Sequence, residues 1–208
     1  MKKRIMENII KGIESRSSEI IQSIAQESLD VYQYLSSQLK NTDVRSDYFY
    51  QFVYRSFFRL DNGGLTDTFK SKYFELLEAN KNKKEFNYYE ILSQLYLIKN
   101  KKEQYSFQFS FVTKMHNIIQ NDRPIFDANV VDVLKLKLRN KKLFDEKFEI
   151  FMEGLSEIES FYSKAIKDNL LPITLSSFDN KFYGNKLTPN KKIDFILWAD
   201  GRKKNTKK

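Results

Sequence analysis

Helix breakers are scarce in this chain: six glycines and three prolines interrupt 208 residues, too few for the many turns of a sheet protein. Between those breaks the apolar residues recur at helical spacing. Ile5, Ile9, Ile13, Ile20, Ile24, Val31 and Leu35 predict an amphipathic helix or helix pair over residues 5–40, broken near Ser15, Ser17 and Ser18. In Asp47 to Leu60, the spacing puts Phe49, Phe52, Val53, Phe57 and Leu60 on one inward face, with Arg55 and Arg59 on a more polar one. Asn62-Gly63-Gly64 is expected to close that helix through a left-handed glycine. Thr66 to Asn80 makes the next helix, with Phe69, Tyr73, Phe74, Leu76 and Leu77 inward. Asn87, with Glu90 three residues on, forms a capping-box pattern opening a helix through Ile98. A long charged helix is expected over Leu143 to Asp168, ended by the region of Pro172. Ser176 to Lys186 reads as an irregular loop that could close over a site. Thr188-Pro189 then caps a helix from Lys191 to Ala199, which Asp200-Gly201 stops. Residues 202–208 read as a disordered basic tail. No period-two alternation supports a sheet, and no internal repeat is present. The expected fold is all-α: one domain over residues 1–208, or two helical subdomains flanking a Lys114/Asp127 cleft.

Chemistry concentrates in Ser106 to Val130, SFQFSFVTKMHNIIQNDRPIFDANV. At 3.6 residues per turn Phe107, Phe111, Lys114 and Ile118 fall on one stripe, with Met115 at its edge. Phe109, Val112 and Ile119 line the other side, so the helix is expected to be buried nearly all round. A lysine within an apolar face is costly unless its stem snorkels or its amine has a task. After the loop Asn121-Asp122-Arg123-Pro124 comes Asp127, set before Val130, Val131, Val133, Leu134 and Leu136. An aspartate there reads as a helix N-cap, its carboxylate accepting bonds from free backbone N–H groups. A desolvated lysine beside a fixed carboxylate is an arrangement suited to amine nucleophilic catalysis. Two plainer readings stand beside it. Lys114 can be a packed lysine whose amine meets a carbonyl or Asp127, and Asp127 can be a cap and nothing more.

The net charge of +9 suits a polyanionic partner, nucleic acid before membrane, although a lysine-rich composition alone produces the same sum. Aromatics at 15%, with 18 Phe and 12 Tyr, exclude a disordered chain. The absence of cysteine excludes disulfides and thiolate metal sites and fits a cytoplasmic protein. No signal peptide or membrane span is expected, because the early apolar positions are periodic rather than continuous.

The pattern S-F-V-T-K…P-I-F-D-A-N-V, Ser110 to Val130, resembles the active-site helix and following loop of helix-hairpin-helix DNA glycosylases. Within that superfamily it is most similar to 8-oxoguanine DNA glycosylase-like proteins. The resemblance implies that Lys114 is a Schiff-base nucleophile and Asp127 the assisting carboxylate, with no cofactor and no metal. It implies damaged, double-stranded DNA as partner, a flipped base, and strand cleavage by β-elimination where lyase activity accompanies base removal. By position, Lys99, Lys101 and Lys102 occupy the turn where the superfamily's hairpin grips the DNA backbone, and Arg123 flanks the Asp127 loop. Phe111 and Trp198 are the base-pocket candidates; Phe195 and the aromatics of residues 48–58 are further stacking candidates. The glycine-rich hairpin of the superfamily has no counterpart here, since Leu97 to Gln104 reads LIKNKKEQ.

Other chemistries find no support. His116 is the single histidine and projects away from Lys114, so a zinc site or a histidine-based helical ribonuclease lacks its partners. No G-x-x-x-x-G-K-[ST] or G-x-G-x-x-G motif occurs. The competing functions are a non-catalytic nucleic-acid-binding helical module, as in mobile-element or phage-defence systems, and a helical interaction protein whose charge reflects composition only.

Overall fold

The computed structural model describes residues 3–206, and all regular structure among them is helical. These residues divide into two compact units. One unit comprises the described residues up to Gln26 and those from Asn121 on; the other is the continuous stretch Glu27–Gln120.

The chain begins with α1 (Lys3–Ser15) and α2 (Ser17–Gln22), parted at Arg16, within the serine cluster where a break is expected. The continuous unit then opens one residue into α3 (Gln26–Gln38), which buries Leu29, Tyr32 and Leu35. In α4 (Tyr48–Phe58) the inward face is Tyr50, Tyr54 and Phe58; of the face expected inward only Leu60, past the end of the helix, is buried. Phe49 is 65% and Phe52 61% exposed. On this face Tyr54 joins a buried hydroxyl chain that links α4, α5 and α7. Tyr73 donates to the Phe111 carbonyl at 2.8 Å, which leaves Tyr54 as the donor in its 2.7 Å bond to Tyr73. Left-handed Arg59 (φ 59°) caps α4, and Gly64 (φ 64°) ends the 3₁₀ turn Leu60–Gly63 that follows. The left-handed cap therefore falls on a non-glycine residue, one 3₁₀ turn earlier than glycine content suggests. α5 (Asp67–Asn80) and α6 (Tyr88–Tyr96) start where the sequence places them. The Thr66 hydroxyl accepts from Phe69 N and the Asn87 side chain from Glu90 N. α5 buries Phe69, Tyr73, Phe74, Leu76 and Leu77, as its spacing predicts. α7 (Phe109–Ile119) packs against α6 and completes this unit.

The chain then returns to the first unit with α8 (Ala128–Val133), α9 (Phe144–Lys167), α10 (Pro172–Lys181) and α11 (Pro189–Thr206). Two expectations are corrected here. Ser176 to Lys181 is helical, because Pro172 starts α10 at its first turn rather than merely ending α9. Glu14, from α1, accepts from Ile173 N, Thr174 N and the Thr174 hydroxyl, and so supplies the cap that the local sequence lacks. Nor does α11 stop at Asp200-Gly201, and residues 202–206 are helical rather than a tail; Lys207 and Lys208 lie outside the described residues. Asp200 is buried and takes a bidentate contact from Arg16 at 2.9 and 3.1 Å. Gly201 is required by packing: a Cβ there would sit 2.5 Å from the Asn129 carbonyl oxygen. α11 packs most extensively on α8, and also on α2, α9 and α10. Among the described residues no helix is long and apolar enough to cross a membrane.

Candidate functional site

Lys114 rides on a helix whose middle is otherwise dry. From Phe111 to Ile118 every residue is buried except Lys114, which is half-buried. Its Nζ lies 4.8 Å from the centre of the Phe111 ring and donates to the Phe58 carbonyl at 3.4 Å. That carbonyl belongs to the last residue of α4, where a cation is favoured by the helix dipole. The stem thus packs among aromatic surface while the amine keeps a polar neighbour and access to solvent. Phe111, a base-pocket candidate, is itself buried and forms the wall on which the amine rests.

Thr113 and His116 show how the same helix is held. The Thr113 hydroxyl bonds back to the Ser110 carbonyl at 2.9 Å. His116 is buried away from the Lys114 contacts, stacked on Phe86 with ring centres 4.2 Å apart and its Nδ1 against the Tyr88 hydroxyl. Asn117 is fully buried, and its side-chain oxygen accepts from Tyr32 at 3.1 Å. These contacts lock the rotation of α7 and therefore the direction in which Lys114 points.

Asp127 belongs to the other unit. It is the N-cap of α8, with Oδ1 accepting from Asn129 N at 2.9 Å, and it is half-buried. Its backbone N–H bonds to the Ile125 carbonyl at 3.1 Å, so the chain enters α8 through a tight turn. Phe126 packs on α9 against Gly154, where a Cβ would lie 2.8 Å from its ring, and stacks beside Phe151 at 5.0 Å.

Next to this turn lies a charge network that sequence reasoning missed. Lys191 and Asp194 are 2% and 5% exposed, and their side chains meet at 2.8 Å. Asp194 Oδ1 also accepts from the Tyr162 hydroxyl at 3.0 Å and from Ile125 N at 3.4 Å. Burial pulls Lys191 below the ordinary lysine range against the pull of Asp194. Burial, with the charges of Asp194 and Asp127 adding to it, pushes Tyr162 well above the ordinary tyrosine range. The available signal was Lys191 three residues before Asp194, with the aspartate itself set inside the apolar run Ile193 to Trp198.

The proposed DNA contacts fall in both units. Lys99, Lys101 and Lys102 are exposed on an ordered turn: Asn100 Oδ1 accepts from Lys102 N and Gln104 N, and Lys101 N donates to the Gly64 carbonyl. Tyr105, 55% exposed, stacks on Tyr96 at 5.6 Å with the Lys99 amine 5.8 Å from its ring centre. Arg123 is engaged with Glu159 at 2.9 Å. Trp198 is half-buried under the Arg202 guanidinium, 4.6 Å from the ring, and Phe195 is buried against Phe178. Lys114 and Phe111 are thus brought together within the continuous unit, whereas Asp127, Arg123 and Trp198 belong to the discontinuous one. Among the described residues no group of His, Cys, Asp or Glu side chains could hold a metal ion. Comparisons with protein-family models, with curated proteins and with solved structures each find no match.

Proposed function

We propose that the chain is a DNA base-excision glycosylase-like protein in which Lys114 is the nucleophile and Asp127 the assisting carboxylate. The observation that carries the reading is the position of Lys114. It is the one residue with access to solvent in the run Phe111–Ile118, and its amine is held on an aromatic wall by α7 and the end of α4. A nucleophilic amine needs such a setting: partly desolvated, fixed in direction, and reachable by a substrate. In this chemistry Nζ attacks C1′ of the damaged nucleotide, the C1′–N bond breaks, and the base leaves with the electron pair and a proton. Loss of a second proton and opening of the sugar ring give an imine, from which β-elimination can cleave the strand. A carboxylate at Asp127 would stabilise positive charge developing at C1′.

Borohydride trapping on abasic and 8-oxoguanine duplexes is the test. The wild-type chain should give a covalent adduct, Lys114→Gln should give none, and Asp127→Asn should slow it by roughly a hundredfold or more. Absence of a wild-type adduct on every lesion, or an adduct that persists in Lys114→Gln, would overturn the assignment. The exposed Lys99–Lys102 turn with its Tyr96–Tyr105 stack supports a second reading, a non-catalytic nucleic-acid-binding module. That reading requires salt-dependent binding to undamaged DNA or RNA that survives Lys114→Gln.

A further inference from the structure

We infer that α11 is a rail that fixes the direction of the Asp127 carboxylate, with Asp194 as its central positioning residue; the inference rests on the role proposed above for Asp127. Asn190, Asp194, Leu197 and Gly201 are spaced four, three and four residues apart, which places them on one stripe of α11 about 16 Å long. Along that stripe the helix touches the segment around Asp127 at successive points. Asn190 Nδ2 donates to the Asp122 carbonyl at 2.7 Å. Asp194 Oδ1 receives Ile125 N at 3.4 Å. At Gly201 the helix backbone approaches Asn129 so closely that no side chain fits between them. Asp127 lies between the last two points, bonded through its own N–H to Ile125 and through its carboxylate to Asn129 N. Pinning Ile125 and Asn129 leaves the Asp127 side chain little freedom to turn.

The choice of residues at the centre of the rail points the same way. A buried ion pair is a poor means of holding two helices together, because desolvating both charges offsets most of their attraction, and apolar residues would do as well. What the ion pair adds is direction. Lys191 at 2.8 Å and Tyr162 at 3.0 Å hold the Asp194 carboxylate in one orientation, and that orientation presents Oδ1 to Ile125 N. Gly154 completes the hold from α9 by letting the Phe126 ring lie against the helix backbone.

The test uses the full chain with Tyr162→Phe and Gly201→Ala, and Glu146→Gln as a control on an exposed ion pair of the same unit. Amide hydrogen exchange at Ile125 and Asn129 should quicken roughly tenfold in Tyr162→Phe, the equivalent of one lost hydrogen bond, and should not change in the control. Gly201→Ala, if it folds, should do the same at Asn129. Single-turnover trapping should slow by about ten- to a hundredfold in these variants while the DNA dissociation constant stays at the wild-type value. A purely structural role would lower the melting temperature and leave both the local exchange and the trapping rate of the folded protein unchanged, which would overturn the rail. Quickened exchange with an unchanged trapping rate would overturn it as well. If the wild type gives no adduct, the enzyme assignment fails by itself, and exchange at Ile125 and Asn129 still decides whether α11 fixes this segment.

Discussion

Two buried tyrosines on neighbouring helices carry opposite expectations. Tyr73 gives its proton to the Phe111 carbonyl and accepts from Tyr54, so its hydroxyl bridges α4, α5 and α7. Tyr50 is equally buried, yet its hydroxyl has no hydrogen-bond partner among the described residues. Tyr73→Phe should therefore destabilise the chain by about 1–3 kcal/mol, because it removes two buried hydrogen bonds and strands the Tyr54 hydroxyl. Tyr50→Phe should be neutral or stabilising, because it removes a group that is already stranded. Urea denaturation midpoints compare the two, and a larger loss in Tyr50→Phe would contradict the assignment. This contrast also explains why α4 was misjudged from its sequence. Tyr48 to Phe58 is aromatic on every side, so helical periodicity offers two rival faces, and tertiary contacts such as the Tyr54–Tyr73 bond choose between them. The half-buried place of Lys114 and the cap at Asp127 were legible because each sits in a local pattern. Asp194 was not, because what brings it to Ile125 is a contact across 69 residues.

At the scale of elements, the caps divide in the same way. Thr66 and Asn87 cap the helices that follow them within three residues, and both are readable from neighbours alone. α10 is capped from α1 by Glu14, 159 residues away for Ile173, and no local pattern announces that. Proline compounded the difficulty, since it both ends helices and favours their first turn. Gly201 did likewise: glycine after a charged residue suggests a stop, whereas here it marks a close approach of two backbones. Glu14→Ala should cost about 1–2 kcal/mol, as loss of a multiply bonded cap does, and should raise amide exchange first in α10. Hydrogen exchange resolved by helix would check this; loss spread evenly over α10 and α11 would argue against a capping role.

For the molecule as a whole, the ionisable core sets an alkaline limit. Tyr50, Tyr54, Tyr73 and Tyr162 are all pushed above the ordinary tyrosine value of 10.0, in each case chiefly by burial. The folded chain therefore keeps protons that the unfolded chain releases, and stability falls as pH rises above about 10. Lys191 works in the opposite sense, since its lowered value makes the folded form release its proton first. Four groups against one leave the tyrosines dominant. Tyrosinate absorbance from these four should appear together with the loss of helical circular dichroism, not before it. Tyrosinate signal from all tyrosines while the helices remain intact would refute the expectation.

The order in which the chain is synthesised gives the division into units a kinetic meaning. Arg16 meets Asp200, Glu14 meets Thr174, and Lys181 donates to the carbonyls of Ile21, Gln22 and Ile24. A ribosome delivers α1 and α2 well ahead of these partners, which follow 157 to 184 positions later, so those two helices must wait with the contacts unmade. The stretch from Glu27 to Gln120 has its internal partners in hand before α10 and α11 are made. Birth order and assembly order are thus inverted for α1 and α2, and any chaperone that attends this chain in the cell would find client surface there.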